Sequence, residues 1–149
     1  MVWIKKRIEL PKKVSSKAAR ELIAAEVIEF IKGRTKKGLG PSGKPWPGKA
    51  KQYSKEYQKK KGSSLVDLTN KDEMLQALKL LSSNNKSLLI GYDNGTKEND
   101  KAEGNILGTY GQPSPIPGKA RDFLGINKKT GPIQKKQLKE IVNAVIEDK

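Results

Sequence analysis

The feature that most limits the fold is residues 34–62, a long basic stretch that can add little to a hydrophobic core. It contains five glycines, three prolines and ten basic residues, and Glu56 is its single acid. Because glycine and proline interrupt regular elements, the first half is predicted to be a loop. Its aromatic side chains, Trp46, Tyr53 and Tyr57, are almost its only apolar anchors. We therefore expect a basic Gly/Pro/Lys-rich arm that projects from the core and is ordered by a neighbouring molecule.

Before this arm, the sequence predicts a strand and a helix. Residues 2–10 alternate loosely between apolar and basic side chains, which indicates a short strand or an extended segment. Ser15 or Ser16 can cap a helix that runs to about Ile31, with Gly33 in the position of a C-cap glycine. The apolar stripe of this predicted helix consists of Ala19, Ile23, Val27, Phe30 and Ile31, with Leu22 beside it.

After the arm, the pattern changes to a short helix and a hairpin. Thr69 can cap a helix whose apolar face includes Met74. In "LKLLSSNNKSLLIGY", two leucine-rich segments flank Asn84 and Asn85, which can turn the chain, so a β-hairpin is predicted. Residues 93–104 are polar, and we expect a flexible loop there.

The last segment, Gln134 to Glu147, is the clearest amphipathic helix in the chain. We expect it to pack against the first helix and the hairpin, because these segments hold the chain's only sizeable apolar surfaces. Its predicted apolar stripe consists of Leu138, Ile141, Val142, Val145 and Ile146.

Composition narrows the functional classes. The formal net charge of +15 and the pI of about 9.9 predict attraction to polyanions or to acidic protein surfaces. The chain has no cysteine and no histidine, so the commonest general base and the commonest zinc ligands are missing. No apolar run approaches the roughly 20 residues that span a bilayer, and the N-terminus lacks the apolar core of a signal peptide. The sequence therefore predicts a soluble protein that begins in a cytoplasm, with no enzymatic activity, cofactor or metal.

The stretch "GLGPSGKPWPG", residues 38–48, contains most of a phosphate-binding P-loop. A P-loop follows a strand and opens a helix, so that backbone N–H groups and the helix dipole face the phosphates. Here the stretch follows a predicted helix, and Pro45 stands where the motif needs a hydroxyl for Mg²⁺. A nucleotide-binding enzyme is thus the weakest of the functional hypotheses.

The acidic residues near position 100 do not match a calcium loop either. Gly95 follows Asp93 too closely for an EF-hand, and Asp-Asn-Gly is a turn sequence. The group, which consists of Asp93, Glu98, Asp100 and Glu103, is interpreted as solvated rather than metal-binding.

The basic arm allows two interpretations. It can be a solubilising surface, or it can contact DNA or an acidic partner through its lysines. Trp46, Tyr53 and Tyr57 lie among those lysines and could stack on single-stranded bases, although a Trp between two prolines more often anchors a loop.

Five segments in order resemble the phage virion morphogenesis proteins, the tail-completion and head–tail joining family of tailed bacteriophages. They are "GRTKKGLGPSGKPWPGKAKQYSKEYQKKK", "LVDLTNKDEMLQAL", "LLIGY", "ILGTYGQ" and "KARDFLGI". The resemblance covers most of the chain, from about residue 16 to 147, and includes the first and the last predicted helix.

The resemblance implies an α+β fold over residues 1–149 as one domain, with a small antiparallel sheet packed by the two terminal helices and a long basic loop. It implies a structural virion protein that forms a ring, usually a hexamer, at the neck or tail end. Its partners would be its own copies, the tail tube and the head connector or stopper proteins, without a membrane, and it would reach the virion from the host cytoplasm.

Site predictions follow from the resemblance and the charge. Arg34 and Arg121 are expected in fixed ion pairs within or between chains, and the lysines of the arm are expected near packaged DNA, which they would contact without sequence preference. The DNA-channel residues proposed are Lys59, Lys60 and Lys61. The assembly-interface residues proposed are Arg34, Lys36, Lys37, Trp46, Tyr53, Tyr57, Arg121, Phe123 and Leu124. The alternative function is that of a basic nucleic-acid-binding protein.

Overall fold

The structure is a computed structural model that describes residues 2–41, 43–44, 73–109, 120–125 and 133–147. This part of the chain combines a three-stranded antiparallel sheet with helices, which confirms the predicted α+β class. No helix in these ranges is long and apolar enough to cross a membrane. The elements are β1 (Lys5–Glu9), α1 (Lys17–Lys36), α2 (Glu73–Gln76), β2 (Lys79–Ser83), β3 (Ser87–Gly91), α3 (Lys97–Leu107) and α4 (Lys135–Glu147).

The sheet is built around β3, which pairs with β1 on one side and with β2 on the other. Ile8 of β1 lies opposite Leu88, and both side chains are buried in the core. β2 and β3 form the predicted hairpin, and Asn84 makes its turn because its side-chain Oδ1 accepts hydrogen bonds from the backbone N–H groups of Lys86 and Ser87, at 2.8 and 2.9 Å. The hairpin prediction is therefore confirmed.

The first helix is longer than its sequence pattern predicts. Ser16 caps it as expected, with its Oγ accepting from the N–H of Ala19 at 3.1 Å. The helix then continues through Gly33 and ends at Lys36, so the prediction of Gly33 as the C-cap is wrong. An interior glycine costs a helix about 1 kcal/mol, which tertiary contacts of the last turn can outweigh.

The buried face of α1 also differs in part from the prediction. Ile23, Val27 and Ile31 are fully buried, as expected. Leu22 and Phe30 instead stay 54% and 37% exposed. The reason is that the sheet and α4 pack on the side of α1 that carries Ile23, Val27 and Ile31, which leaves the flanks of the helix open.

The two terminal helices share one core with the sheet, as predicted. α1 packs against β2 and β3 and also against α4, and among the described elements α4 packs chiefly against α1. Val142 is fully buried, whereas Leu138 and Val145 are partly buried against the same cluster.

The segment expected to be a flexible polar loop is largely helical. α3 starts after Thr96, whose Oγ1 accepts from the N–H of Asn99 at 3.2 Å, and it ends at Gly108 with a φ of 76°. Asn99 is buried, with its Oδ1 accepting from the N–H of Ile4 at 2.7 Å and its Nδ2 donating to the carbonyl of Val2 at 2.8 Å. The polar character of this segment thus reflects a capped helix that holds the N-terminus in place.

Candidate functional site

The end of α1 meets a segment that is distant in the sequence. Residues 121–125 form a compact turn, in which Gly125 has a φ of 62° and donates its N–H to the carbonyl of Asp122 at 3.1 Å. The N–H of Arg121 donates to the carbonyl of Asn105 at 2.6 Å, which ties the turn to α3. Arg34 of α1 donates from Nη2 to the carbonyl of Phe123 at 2.8 Å. Two of the family-like motifs, "GRT" and "ARDFLG", therefore form one unit.

Arg34 is a buried charge in this unit, since only 7% of its surface is exposed. Nη2 has the Phe123 carbonyl, but Nε and Nη1 have no hydrogen-bond partner among the described residues. Burial lowers the pKa of the guanidinium to about 10, since desolvation disfavours the charged form. The guanidinium is still positively charged at neutral pH, so the last turn of α1 contains a buried cation.

A cavity of about 320 Å³ lies beside this guanidinium, between the last turns of α1, the turn that follows it and the start of α4. The α1 side carries Phe30, Arg34 and Lys37, and the α4 side carries Gln137. The Oε1 atom of Gln137 is buried and has no hydrogen-bond partner among the described residues. Arg34, which has two unsatisfied nitrogens, and Gln137, which has an unsatisfied oxygen, therefore line the same cavity.

The stretch that resembles a P-loop forms part of this wall but is arranged differently from a phosphate loop. It follows a helix, as the sequence predicts, and Gly38 takes the left-handed conformation with a φ of 81°. Gly40 donates its N–H to the carbonyl of Lys44 at 2.8 Å, and Gly43 donates to the carbonyl of Gly40 at 2.9 Å. Because these N–H groups bond within the turn, they do not point at a ligand.

The structure places the predicted site residues in three groups. Arg34, Arg121, Phe123 and Leu124 are buried inside the chain, whereas Lys36 and Lys37 are exposed at the end of α1. The remaining residues, Trp46, Tyr53, Tyr57, Lys59, Lys60 and Lys61, lie outside the described residues, and the roles proposed for all of them stay predictions.

The structure limits the Arg34 prediction and corrects the start of the arm. Arg34 bonds to a carbonyl oxygen and forms no ion pair within the described residues, so an ion pair with another chain stays a prediction. The first residues of the predicted arm, Arg34 and Thr35, belong to the last turn of α1 and are buried there. The Oγ1 of Thr35 donates to the carbonyl of Ile31 at 2.7 Å, as expected of a threonine that faces the helix interior. The first three residues of the predicted arm, 34–36, therefore belong to α1.

Sequence reasoning did not identify the cavity or Gln137. Gln137 reads as an ordinary solvent-facing residue of α4, because the periodicity of a helix reveals its apolar face and nothing about single polar contacts. The helical period predicts Phe30 in the core, yet its ring is partly exposed at the cavity, with its centroid 5.9 Å from the guanidinium carbon of Arg34. Only the packing of α4 on α1 brings these side chains together.

A second charged surface lies at the N-terminal edge of the sheet. Trp3, Lys5 and Arg7 alternate along β1 and its approach, and all three are exposed. The Lys5 ammonium lies 3.9 Å from the centroid of the Trp3 ring, and Arg7 donates from Nη1 to the Oγ of Ser87 at 2.8 Å. This edge combines an exposed aromatic ring with two cations.

The acidic residues form no comparable site. Over the described ranges, no three or more Asp and Glu side chains lie close enough together to hold a metal ion. Asp93 pairs with Lys79 at 2.8 Å, and the carboxylate of Glu103 accepts from the N–H of Val2 at 2.7 Å. These carboxylates serve contacts within the fold.

Comparisons of this chain with models of protein families, with curated proteins and with solved structures find no match.

Proposed function

We propose that this chain is a structural protein of a tailed-phage virion that assembles into a ring at the neck or tail end and joins the tail to the head. The observation that carries the proposal is the hydrogen bond between Arg34 and the carbonyl of Phe123. It joins the "GRT" and "ARDFLG" motifs, which are 89 residues apart, in one packed unit. A chance likeness of short motifs does not require them to meet, so their contact supports a common structural role.

Exposed apolar side chains on α1 support assembly. Leu22 and Phe30 lie about two turns apart on the helix and remain 54% and 37% exposed. A ring uses two different surfaces of each copy, and apolar side chains of this size are typical contributors to such interfaces. The net charge of +15 opposes association, so neighbouring acidic proteins or DNA in the channel would have to balance it.

The size of the purified protein in solution tests this proposal. We expect a ring whose mass, measured by native mass spectrometry and light scattering, persists when the salt concentration is raised. Leu22→Glu should shift the ring to monomers, because it places a charge in the interface. Ala144→Glu, an equal change of charge at an exposed position of α4, is the matched control and should leave the ring intact. A wild-type monomer at every concentration and salt level would contradict the proposal.

The N-terminal edge of the sheet favours a second candidate, a basic nucleic-acid-binding protein. Trp3 could stack on a base while Lys5 and Arg7 contact phosphates, which is the usual combination in proteins that bind single strands. This function predicts monomers whose affinity for DNA falls steeply with salt and is weakened by Trp3→Ala. A ring without such affinity would exclude it.

The role of the arm in joining is tested separately. Reversing the charges of Lys59, Lys60 and Lys61 together should impair head–tail joining or DNA retention while rings still form. If neither joining nor DNA retention changes, these lysines are a solubilising surface and the channel proposal is wrong.

A further inference from the structure

We propose that the cavity at the C-terminal end of α1 is a binding site for an acidic side chain, Asp or Glu, on a peptide segment of a partner protein. Its ligand groups are the guanidinium of Arg34 and the side-chain amide of Gln137. The site is defined by the geometry of this chain alone and does not depend on the proposed virion role.

The first argument is the unsatisfied guanidinium. More than nine-tenths of Arg34 is buried, and only its Nη2 donates to a protein acceptor, the carbonyl of Phe123 at 2.8 Å. Nε and Nη1 carry most of its N–H groups, and within the described residues neither has an acceptor. Buried donors in native proteins nearly always have partners, and a carboxylate is the acceptor that fits a planar guanidinium best.

The second argument distinguishes a peptide from a free anion. Gln137 lines the same cavity, and its buried Oε1 has no donor in the described part of the chain. A free carboxylate ion offers no hydrogen-bond donor to that oxygen, and a hydrogen phosphate ion offers only a hydroxyl group. A peptide that carries a carboxylate offers both an acceptor for Arg34 and backbone N–H groups for Gln137.

The third argument is the shape of the cavity. About 320 Å³ is near the lower limit of small-molecule pockets, which suits one side chain with its flanking peptide groups. Leu39 and Pro41 lie in the wall beside the polar groups and can contact the methylene part of a Glu or Asp side chain. The Phe30 ring is partly exposed, and its centroid lies 5.9 Å from the guanidinium carbon, so it borders the guanidinium in the wall of the cavity.

The charges at the rim agree with an acidic ligand. Lys37 is exposed on the α1 side and adds a second cation. The one acid in the wall, Glu29, is exposed, and its carboxylate lies 3.7 Å from the ammonium of Lys32, which offsets its repulsion. A subunit with a net charge of +15 also attracts acidic partners over longer distances.

Nuclear magnetic resonance of the whole chain tests the site directly. The probe is N-acetyl-glutamate N-methylamide, which carries one carboxylate between two peptide groups, and the matched control is N-acetyl-glutamine N-methylamide. We expect the glutamate probe to shift the Nε–H signal of Arg34 and the side-chain amide signals of Gln137, with a dissociation constant in the millimolar range. The glutamine probe should shift neither.

Three variants separate the site from general electrostatics. Arg34→Gln and Gln137→Leu should each weaken binding of the glutamate probe, the first by about tenfold or more, since it removes charge-assisted hydrogen bonds. Arg20→Gln removes the same charge from a partly exposed position of α1 and should leave binding unchanged. Gln137→Leu keeps the test decisive if Arg34→Gln fails to fold.

Specific outcomes would overturn the proposal. No shift of the Arg34 and Gln137 signals in the wild type would show that the cavity binds no carboxylate. Equal binding of inorganic phosphate would overturn the assignment to a peptide, and equal weakening by Arg20→Gln would show only diffuse attraction between charges.

Discussion

Replacing Val142 with aspartate should release α4 from the rest of the fold. Val142 is 1% exposed and lies near the middle of α4, which among the described elements packs chiefly against α1. The other apolar residues of α4, including Leu138 and Val145, are only partly buried. The attachment of the helix therefore depends strongly on this one position.

The expected magnitude follows from two terms. Losing a buried valine side chain removes about 1.5–3 kcal/mol of hydrophobic stabilisation. An unpaired carboxylate in its place adds a desolvation penalty of several kcal/mol, for a total on the order of 5 kcal/mol. Domains are stable by only about 5–15 kcal/mol, but detaching a half-buried terminal helix costs less than unfolding the sheet. We therefore expect α4 to detach while β1, β2 and β3 remain paired.

Hydrogen exchange and urea unfolding measure this directly. In Val142→Asp, the amides of α4 should lose protection while those of β3 keep theirs. Val142→Ala isolates the loss of packing, and Ala144→Asp places the same charge at an exposed position of the same helix. The reasoning is refuted if Val142→Asp is no more destabilising than Ala144→Asp, or if β3 loses protection together with α4.

Three further predictions concern other parts of the fold. Gly91→Ala should destabilise the sheet by several kcal/mol in urea unfolding, because the added Cβ would lie 2.7 Å from the Cα of Lys5. Gly95 also has a positive φ, but its surroundings are open, so Gly95→Ala should cost only about 1 kcal/mol. Gly33→Ala should add about 0.5–1 kcal/mol to the free energy of unfolding and raise the midpoint of thermal unfolding, because Gly33 lies inside α1 and nothing is within 4 Å of the new Cβ. A lower midpoint would mean that the cavity beside Gly33 cannot accept a methyl group. Burial raises the pKa of the Tyr92 hydroxyl above its ordinary value of 10.0, so the folded state favours the neutral hydroxyl. The free energy of unfolding therefore falls as the pH rises above 10.0, where the hydroxyl ionises more readily in the unfolded chain. Tyr92→Phe should lessen that alkaline loss, and an unchanged dependence of stability on pH would contradict the assignment.

The sequence by itself determined the elements whose cause is local. Ser16 caps α1 and Asn84 turns the hairpin because each side chain bonds to backbone groups two or three residues away. The stripe that contains Ile23 and Val27 follows from the helical period, and so does the helix from Lys135 to Glu147. Such features need no knowledge of distant residues, so they could be predicted correctly.

The tertiary structure decided the features whose cause is distant in sequence. α1 continues past Gly33, and its last turn is held by a carbonyl 89 residues away, at Phe123. The segment expected to be a loop forms α3, and Asn99 finds its partners on Ile4 and Val2, 95 and 97 residues away. Local propensity is weak over these polar stretches, so long-range hydrogen bonds and burial decide their conformation.

The candidate site also depends partly on the sequence and partly on the tertiary structure. The resemblance singled out Arg34 and Phe123 as important, because residue identities and their order are properties of the sequence. That Arg34 would be buried with unsatisfied nitrogens and would line the same cavity as Gln137 depends on how α4 packs against α1. Desolvation and hydrogen-bond satisfaction are set by the three-dimensional surroundings of an atom, so only the tertiary structure could place a buried, unpaired cation at this position.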